Sequence, residues 1–133
     1  KPAAVIDLAT LTGAILVALG PWTTGLFSND DELADEVLGA ARRAGEPIWR
    51  MPLPPEMVEL IKSPIADLKN TGGRYGGSIN AGLFLQHFVG KVPWAHLDIA
   101  GPASLDKERG YNPRGGTGAG VRLLADWLRH RKP

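Results

Sequence analysis

The segment Ala3–Leu8 is short, β-branched at its centre and almost continuously apolar. A strand with one wet face alternates apolar and polar residues, so an unbroken run belongs to a strand covered on both sides, as in a parallel or mixed α/β sheet. Asp7 is the one interruption, and a carboxylate inside such a strand needs a hydrogen-bonding partner. Thr24–Phe27 and Trp94–Ala100 read as further strands, the last being the clearest.

The intervening segments carry helical signals. Thr10-Leu11-Thr12-Gly13 is a turn, and Thr12 is placed to cap a helix over Gly13–Leu19 that Gly20 and Pro21 close. Ser28-Asn29-Asp30-Asp31-Glu32 supplies capping oxygens and first-turn acids to a helix whose Ala34, Val37, Leu38 and Ala41 share a face. Arg42 and Arg43 lie near its end, and Gly45 stops it. Pro54-Pro55 opens a short helix with Met57, Leu60 and Ile61 on one side. Ile65–Leu68 is expected as a strand ahead of the glycine-rich loop Asn70–Gly77. Ala81, Phe84, Leu85, Phe88 and Val89 form a helical stripe ending at Gly90. After the long loop Gly101–Gly118, Thr117 or Gly118 precedes a last helix. It is expected to present Val121, Leu124 and Leu128 on one face and to end in Arg129, His130, Arg131 and Lys132. Strands alternating with helices define an α/β class, here a mixed, largely buried sheet flanked by helices.

Composition narrows the functions. The chain has 133 residues, 44% apolar and 22% charged, which suits one globular domain. Its net charge of +1 comes from interspersed signs, so no basic stripe marks a nucleic-acid partner. The absence of cysteine excludes disulfides and thiolate metal sites. No apolar run reaches the roughly 18–20 residues of a membrane span, and no secretory signal pattern is visible. A cytoplasmic location is therefore expected. The opening Lys1-Pro2, without Met and directly before a buried run, reads as the edge of a longer protein.

Three features invite chemistry. His96 and Asp98 lie two apart on one strand face, as a metal-ligand pair, part of a Ser-His-Asp set, or a buried hydrogen-bonded pair bracing the strand end. The last is favoured, because no further histidine lies near. Gly72–Gly77 and Gly115–Gly120 resemble phosphate cradles, and the second precedes a helix. Neither fits the dinucleotide fingerprint or the P-loop, which favours a loop and a helix cap. Thr10–Gly13 joins a buried strand to a helix, the place where α/β sheets bind ligands, although spacing alone fits an ordinary turn. Asp30-Asp31-Glu32 and Arg42-Arg43 read as solvated helix ends. No complete catalytic set emerges from the residues themselves.

Five segments, in order, resemble the C-terminal catalytic domain of the leucyl (cytosol) aminopeptidase family. They are Val5-Ile6-Asp7-Leu8-Ala9-Thr10-Leu11-Thr12-Gly13-Ala14, continuing through Ala18–Gly20 and Gly25–Asn29; Trp49–Leu53; Ala66–Asn70, continuing through Gly76–Ala81 to Leu85; Trp94–Ala103; and Gly115–Gly118. The resemblance covers nearly the whole chain. It implies that residues 1–133 are the C-terminal portion of an aminopeptidase-like catalytic domain. It also implies metal-assisted hydrolysis of N-terminal, leucine-like residues from peptides with two divalent ions, zinc or manganese, in a homo-hexamer. The family's metal ligands and its catalytic lysine and arginine lie in upstream segments, including an Asn-Thr-Asp-Ala-Glu-Gly-Arg motif, and neither occurs here. No catalytic or metal-ligating residue is therefore expected in this chain, and the chain alone is expected to be inactive.

The resemblance carries substrate binding to particular positions. Main-chain groups of Leu11 and Gly13 bond the peptide, Thr10 and Gly13 wall the side-chain pocket, and Ala100 and Ala103 line it. His96 and Asp98 receive no metal role. One departure is Ala119-Gly120, where the family has Arg-Pro. Two other readings are a non-catalytic α/β module, truncated or degenerate, and a nucleotide-binding domain built on Gly115–Gly120.

Overall fold

Residues 2–131 are described by a computed structural model. Lys1 and the expected helix-end residue Lys132 lie outside the described residues. The strands are β1 (Val5–Ala9), β2 (Thr24–Ser28), β3 (Ile48–Arg50), β4 (Trp94–Asp98), β5 (Ser104–Leu105) and β6 (Gly115–Gly116). The helices are α1 (Gly13–Leu19), α2 (Asp31–Ala44), α3 (Gly77–Val89) and α4 (Val121–His130), with a 3₁₀ turn over Pro55–Ile61.

Four strands form one mixed sheet in the order β1-β4-β2-β3. β1 pairs parallel with β4, β4 antiparallel with β2, and β2 parallel with β3. Helices cover both faces, as the α/β reading requires. On one side α2 and α4 enclose Leu26, Ala95 and Leu97 with Leu33, Val37, Leu123 and Trp127. On the other, α1 and α3 cover a cluster of Ile15, Phe27 and Trp94. Full burial of side chains this size contributes roughly 1.5–3 kcal/mol each, so these two clusters hold the layers together. The central strands β2 and β4 are buried throughout, whereas β1 is half-buried, because it stands at the edge of the sheet.

Local signals place the helix ends. Thr12 caps α1, its Oγ1 accepting from the Ile15 amide at 3.1 Å. Asp30 caps α2, its carboxylate accepting from Leu33 at 2.8 Å, and Gly45 closes it in the left-handed conformation.

Several expectations need correction. Ile65–Leu68 forms bends rather than a strand, and Ile65 is 94% exposed. β3 lies where the sequence predicts no strand, paired with β2 through Thr24–Leu26. The α3 stripe faces the core only in part: Leu85 and Val89 pack against the Ile15–Phe27–Trp94 cluster, but the buried positions are Ser78, Asn80, Gly82 and Leu83, and Phe88 is 65% exposed. A Cβ at Gly82 would sit 3.0 Å from both Phe27 and Leu53, so the helix approaches the sheet most closely at its small residue, while Phe88 lies outward. In α4 the buried pair is Leu123 and Trp127, while Val121 and Leu128 are exposed. The Trp127 indole donates to Glu36 at 2.9 Å and Arg43 pairs with Asp126 at 2.8 Å, which fixes this rotation against α2. That helix begins after Gly120, not after Thr117 or Gly118.

Candidate substrate site

Because β1 and β4 are parallel, their carboxyl ends open on the same side of the sheet. Ala9 lies opposite Asp98, and the Ile99 amide donates to the Ala9 carbonyl at 2.9 Å. The turn Thr10–Gly13 leaves β1 there, and the segment Ile99–Ala103 leaves β4 beside it. Ligands of α/β sheets bind in such crevices.

Asp98 ties the two exits together. Its side chain is fully buried. Oδ1 accepts from the amides of Leu11 at 3.1 Å and Ala100 at 3.2 Å, and Oδ2 accepts the Thr12 hydroxyl at 2.7 Å. With its proton given to Asp98, the Thr12 oxygen has lone pairs free for Ile15. Thr12 thereby satisfies one first-turn amide of α1. Gly13 and Ala14 precede Ile15 in that turn, and their amides have no intrahelical carbonyl to bond.

A cavity of about 440 Å³ opens beside this turn. Leu11 and Gly13 line it, facing Asn70, Thr71, Asn80 and Phe84 from the glycine-rich loop and α3. The Asn80 Nδ2 donates to the Tyr75 carbonyl at 3.0 Å, while its buried Oδ1 has no partner. Of the substrate-binding residues that the resemblance implies, Leu11 and Gly13 reach this cavity, and Gly72, Gly73 and Gly77 of the glycine-rich loop line it too. Thr10, Ala100 and Ala103 are not among its lining residues. Ala103 is held in the neighbouring turn, its amide donating to Ile99 at 3.0 Å and its carbonyl accepting from Thr117 at 3.0 Å. Asn80 escapes the sequence reading. A polar residue following a glycine-rich loop is its only local signal.

His96 pairs differently from the expectation. Its partner is not Asp98 but Asp7, directly opposite on β1, with Nδ1 and Oδ1 2.5 Å apart. An ionised carboxylate only accepts, so the proton sits on Nδ1. Asp7 also accepts from the Trp94 indole at 2.6 Å, which supplies the partner its position demands. His96 Nε2 is buried without a hydrogen bond, and the imidazole stacks with the rings of Trp94 and of Phe27.

Among the described residues no group of three or more His, Asp or Glu is close enough to hold a metal ion. Asp98 is engaged by three donors and Asp7 by two. These residues alone do not fit a metal centre, and they carry no chemical step through one.

The Gly115–Gly120 segment is not an open phosphate cradle. Gly115 and Gly116 pair with β5, and the anion position at the start of α4 is filled from within the chain. Glu46 accepts from Gly120 at 2.6 Å and from Leu123 at 3.1 Å. Gly120 has φ +89°, and a Cβ there would strike the Leu8 side chain at 2.3 Å. A proline has a fixed negative φ and no N–H, so Gly120 belongs to a corner that the family's Arg-Pro cannot form in this way. Beside it, the Arg122 guanidinium bonds the Tyr111 hydroxyl and lies near Glu46, which holds it above its ordinary pKa.

The fold is that of leucine aminopeptidase structures. A mutant of the tomato leucine aminopeptidase superposes with a TM-score of 0.91 at 47% identity, over 97% of this chain and 25% of the other. The bottromycin maturation enzyme BotP, in complex with Mn, gives 0.89 at 50% identity, over 96% and 28%. The probable cytosol aminopeptidase of Trichormus variabilis is 60% identical over 125 residues, covering 94% of this chain and 26% of the relative. That of Cyanothece sp. is 58% identical over 125 residues, covering 94% and 25%. Residues 1–125 match the catalytic domain of the cytosol aminopeptidase family. The chain belongs to that family, and it spans about a quarter of the length of these relatives. No described helix is long and apolar enough to cross a membrane.

Proposed function

We propose that this chain forms the substrate-facing wall of an aminopeptidase that removes N-terminal, leucine-like residues from peptides. The observation that carries the reading is the cavity beside the turn that leaves β1, lined by Leu11 and Gly13. Main-chain groups of these residues hold the peptide, and Thr10, Ala100 and Ala103, which lie at the strand exits outside the lining of that cavity, shape the space for its first side chain. Small apolar walls with a few fixed polar groups are what a hydrophobic amino-terminal residue requires. Leu11 offers the substrate its carbonyl, because its amide is bonded to Asp98. Gly13 offers an amide donor at the start of a helix, where partial positive charge favours a developing oxyanion.

Two divalent ions, zinc or manganese, complete the active site from residues outside this segment. In support, a family member of similar fold is described in complex with Mn. The whole protein works as a homo-hexamer in the cytoplasm, and the chain by itself is inactive.

The test is hydrolysis of leucine p-nitroanilide with added zinc or manganese, by the 133-residue chain and by a full-length family member carrying this segment. Turnover is expected from the full-length protein alone. Turnover by the isolated chain would overturn the division of the site, and none from either would favour the non-catalytic α/β module.

A further inference from the structure

We infer that Asp98 is a positioning residue for the substrate wall, acting through the turn it holds. The inference rests on the reading of Leu11 and Gly13 as groups that bond substrate. Asp98 is the last residue of β4, fully buried between β1 and β2. Its two oxygens receive Leu11, Thr12 and Ala100, at 3.1, 2.7 and 3.2 Å. One carboxylate thus sets the β1 exit, which lines the cavity, relative to the β4 exit, which carries Ala100.

A brace serving only the fold could join the strands anywhere along their length. Asp98 instead bonds the residues beyond both strand ends. It also occupies the Leu11 amide, so it decides which main-chain group of Leu11 is left for a ligand. Through Thr12 it reaches the Ile15 amide at 3.1 Å, so the first turn of α1, and with it Gly13, is fixed to the same anchor.

Substitution isolates the effect. Asp98→Asn keeps the shape and one oxygen, but an amide nitrogen replaces an acceptor. It can no longer take the Thr12 hydroxyl proton. The Thr12 oxygen must then accept from both the introduced amide and the Ile15 N–H, and its proton is left without this acceptor. The turn shifts, and a misplacement of about 1 Å in a substrate-holding group costs about 10²-fold in rate.

The experiment measures kcat, KM and melting temperature of Asp98→Asn, Thr12→Val and Thr12→Ser in a full-length family member carrying this segment. Gly13→Val and the Gly13→Val/Asp98→Asn double variant complete the set. The expected result is a fall in kcat/KM of about 10–100-fold for Asp98→Asn. Thr12→Val is expected to follow it, and Thr12→Ser, which keeps the hydroxyl, to recover most of that loss. In the Gly13→Val background Asp98→Asn is expected to add less than about threefold, because both act through the same main chain. Should Asp98→Asn fail to fold, the Thr12 pair decides the matter. Unchanged kcat/KM of the folded protein with a lowered melting temperature would make Asp98 a structural brace and overturn the inference. Full multiplicative loss in the double variant would overturn it as well. Normal activity of Gly13→Val alone would instead sink the substrate-wall reading beneath it, and the two failures are thereby told apart.

Discussion

Gly13→Val separates a substrate role from a folding role. Glycine is demanded by a fold where φ is positive or where a Cβ has no room. Neither holds at position 13. Its φ lies outside the left-handed region, and an added Cβ would meet nothing within 4 Å. Gly72, across the same cavity, is the contrast, since its Cβ would strike Asn80 at 2.4 Å. Replacing a glycine in a compatible conformation stabilises by about 0.4–1 kcal/mol through the unfolded chain. A β-branched residue in a helix gives back several tenths of that. The net change in stability is therefore expected to stay within about 1 kcal/mol of zero.

The functional cost is of another size. A valine here projects beside the cavity that Leu11 and Gly13 line. Valine keeps the amide, but its side chain displaces the substrate from that donor, and forfeiting one aligned main-chain contact costs about 2.7–4 kcal/mol, or 10²–10³ in rate. Circular dichroism melts and kcat/KM on leucine p-nitroanilide, from one preparation of a full-length family member carrying this segment, measure both quantities. The expected outcome is a near-normal melting temperature with activity down by at least about 10². A large drop in melting temperature with normal activity of the folded fraction would refute the reasoning and return Gly13 to the role of a turn former.

Two further outcomes are expected. Ala103→Trp in the same full-length setting lowers kcat/KM for leucine more than for alanine substrates, and equal losses would remove Ala103 from the side-chain pocket. Glu46→Ala strips the acceptor from the Gly120 and Leu123 amides and destabilises the fold by about 1–3 kcal/mol in urea unfolding. A change below about 0.5 kcal/mol, the size of an ordinary surface substitution, would show that water replaces Glu46 at no loss.

What the sequence shows of the fold follows from the range of each signal. Caps such as Thr12 and Asp30 act over three residues, and both helix starts are readable. The apolar runs of β2 and β4 mark the sheet interior, because those strands are covered on both sides. The same kind of run in β1 overstates its burial, since an apolar pattern does not say which strand stands at an edge. β3 escapes notice because three residues, one of them an exposed Trp49, carry no period. The deepest-buried positions of α3 and α4 are not the ones an apolar stripe selects. Counting apolar residues favours large side chains, whereas close packing against Phe27 selects Gly82, and the Glu36–Trp127 bond selects the turn of α4.

The site divides in the same way. Leu11 and Gly13 belong to a continuous segment, so a short run of consecutive residues suffices to place them. The bonds that give the turn its shape join positions far apart in the chain: Asp98 to Leu11 and Thr12, His96 to Asp7, Glu46 to Gly120. A spacing argument pairs His96 with Asp98 because they share a strand face. The parallel register places Asp7 opposite His96 and leaves Asp98, at the end of the strand, free to reach over the strand ends. Residue type therefore announces that a buried carboxylate needs donors, but only register decides which ones. The two carboxylates take different tasks on that account. Asp7 locks the rings of Trp94 and His96 within the sheet, and Asp98 governs the chain that leaves it.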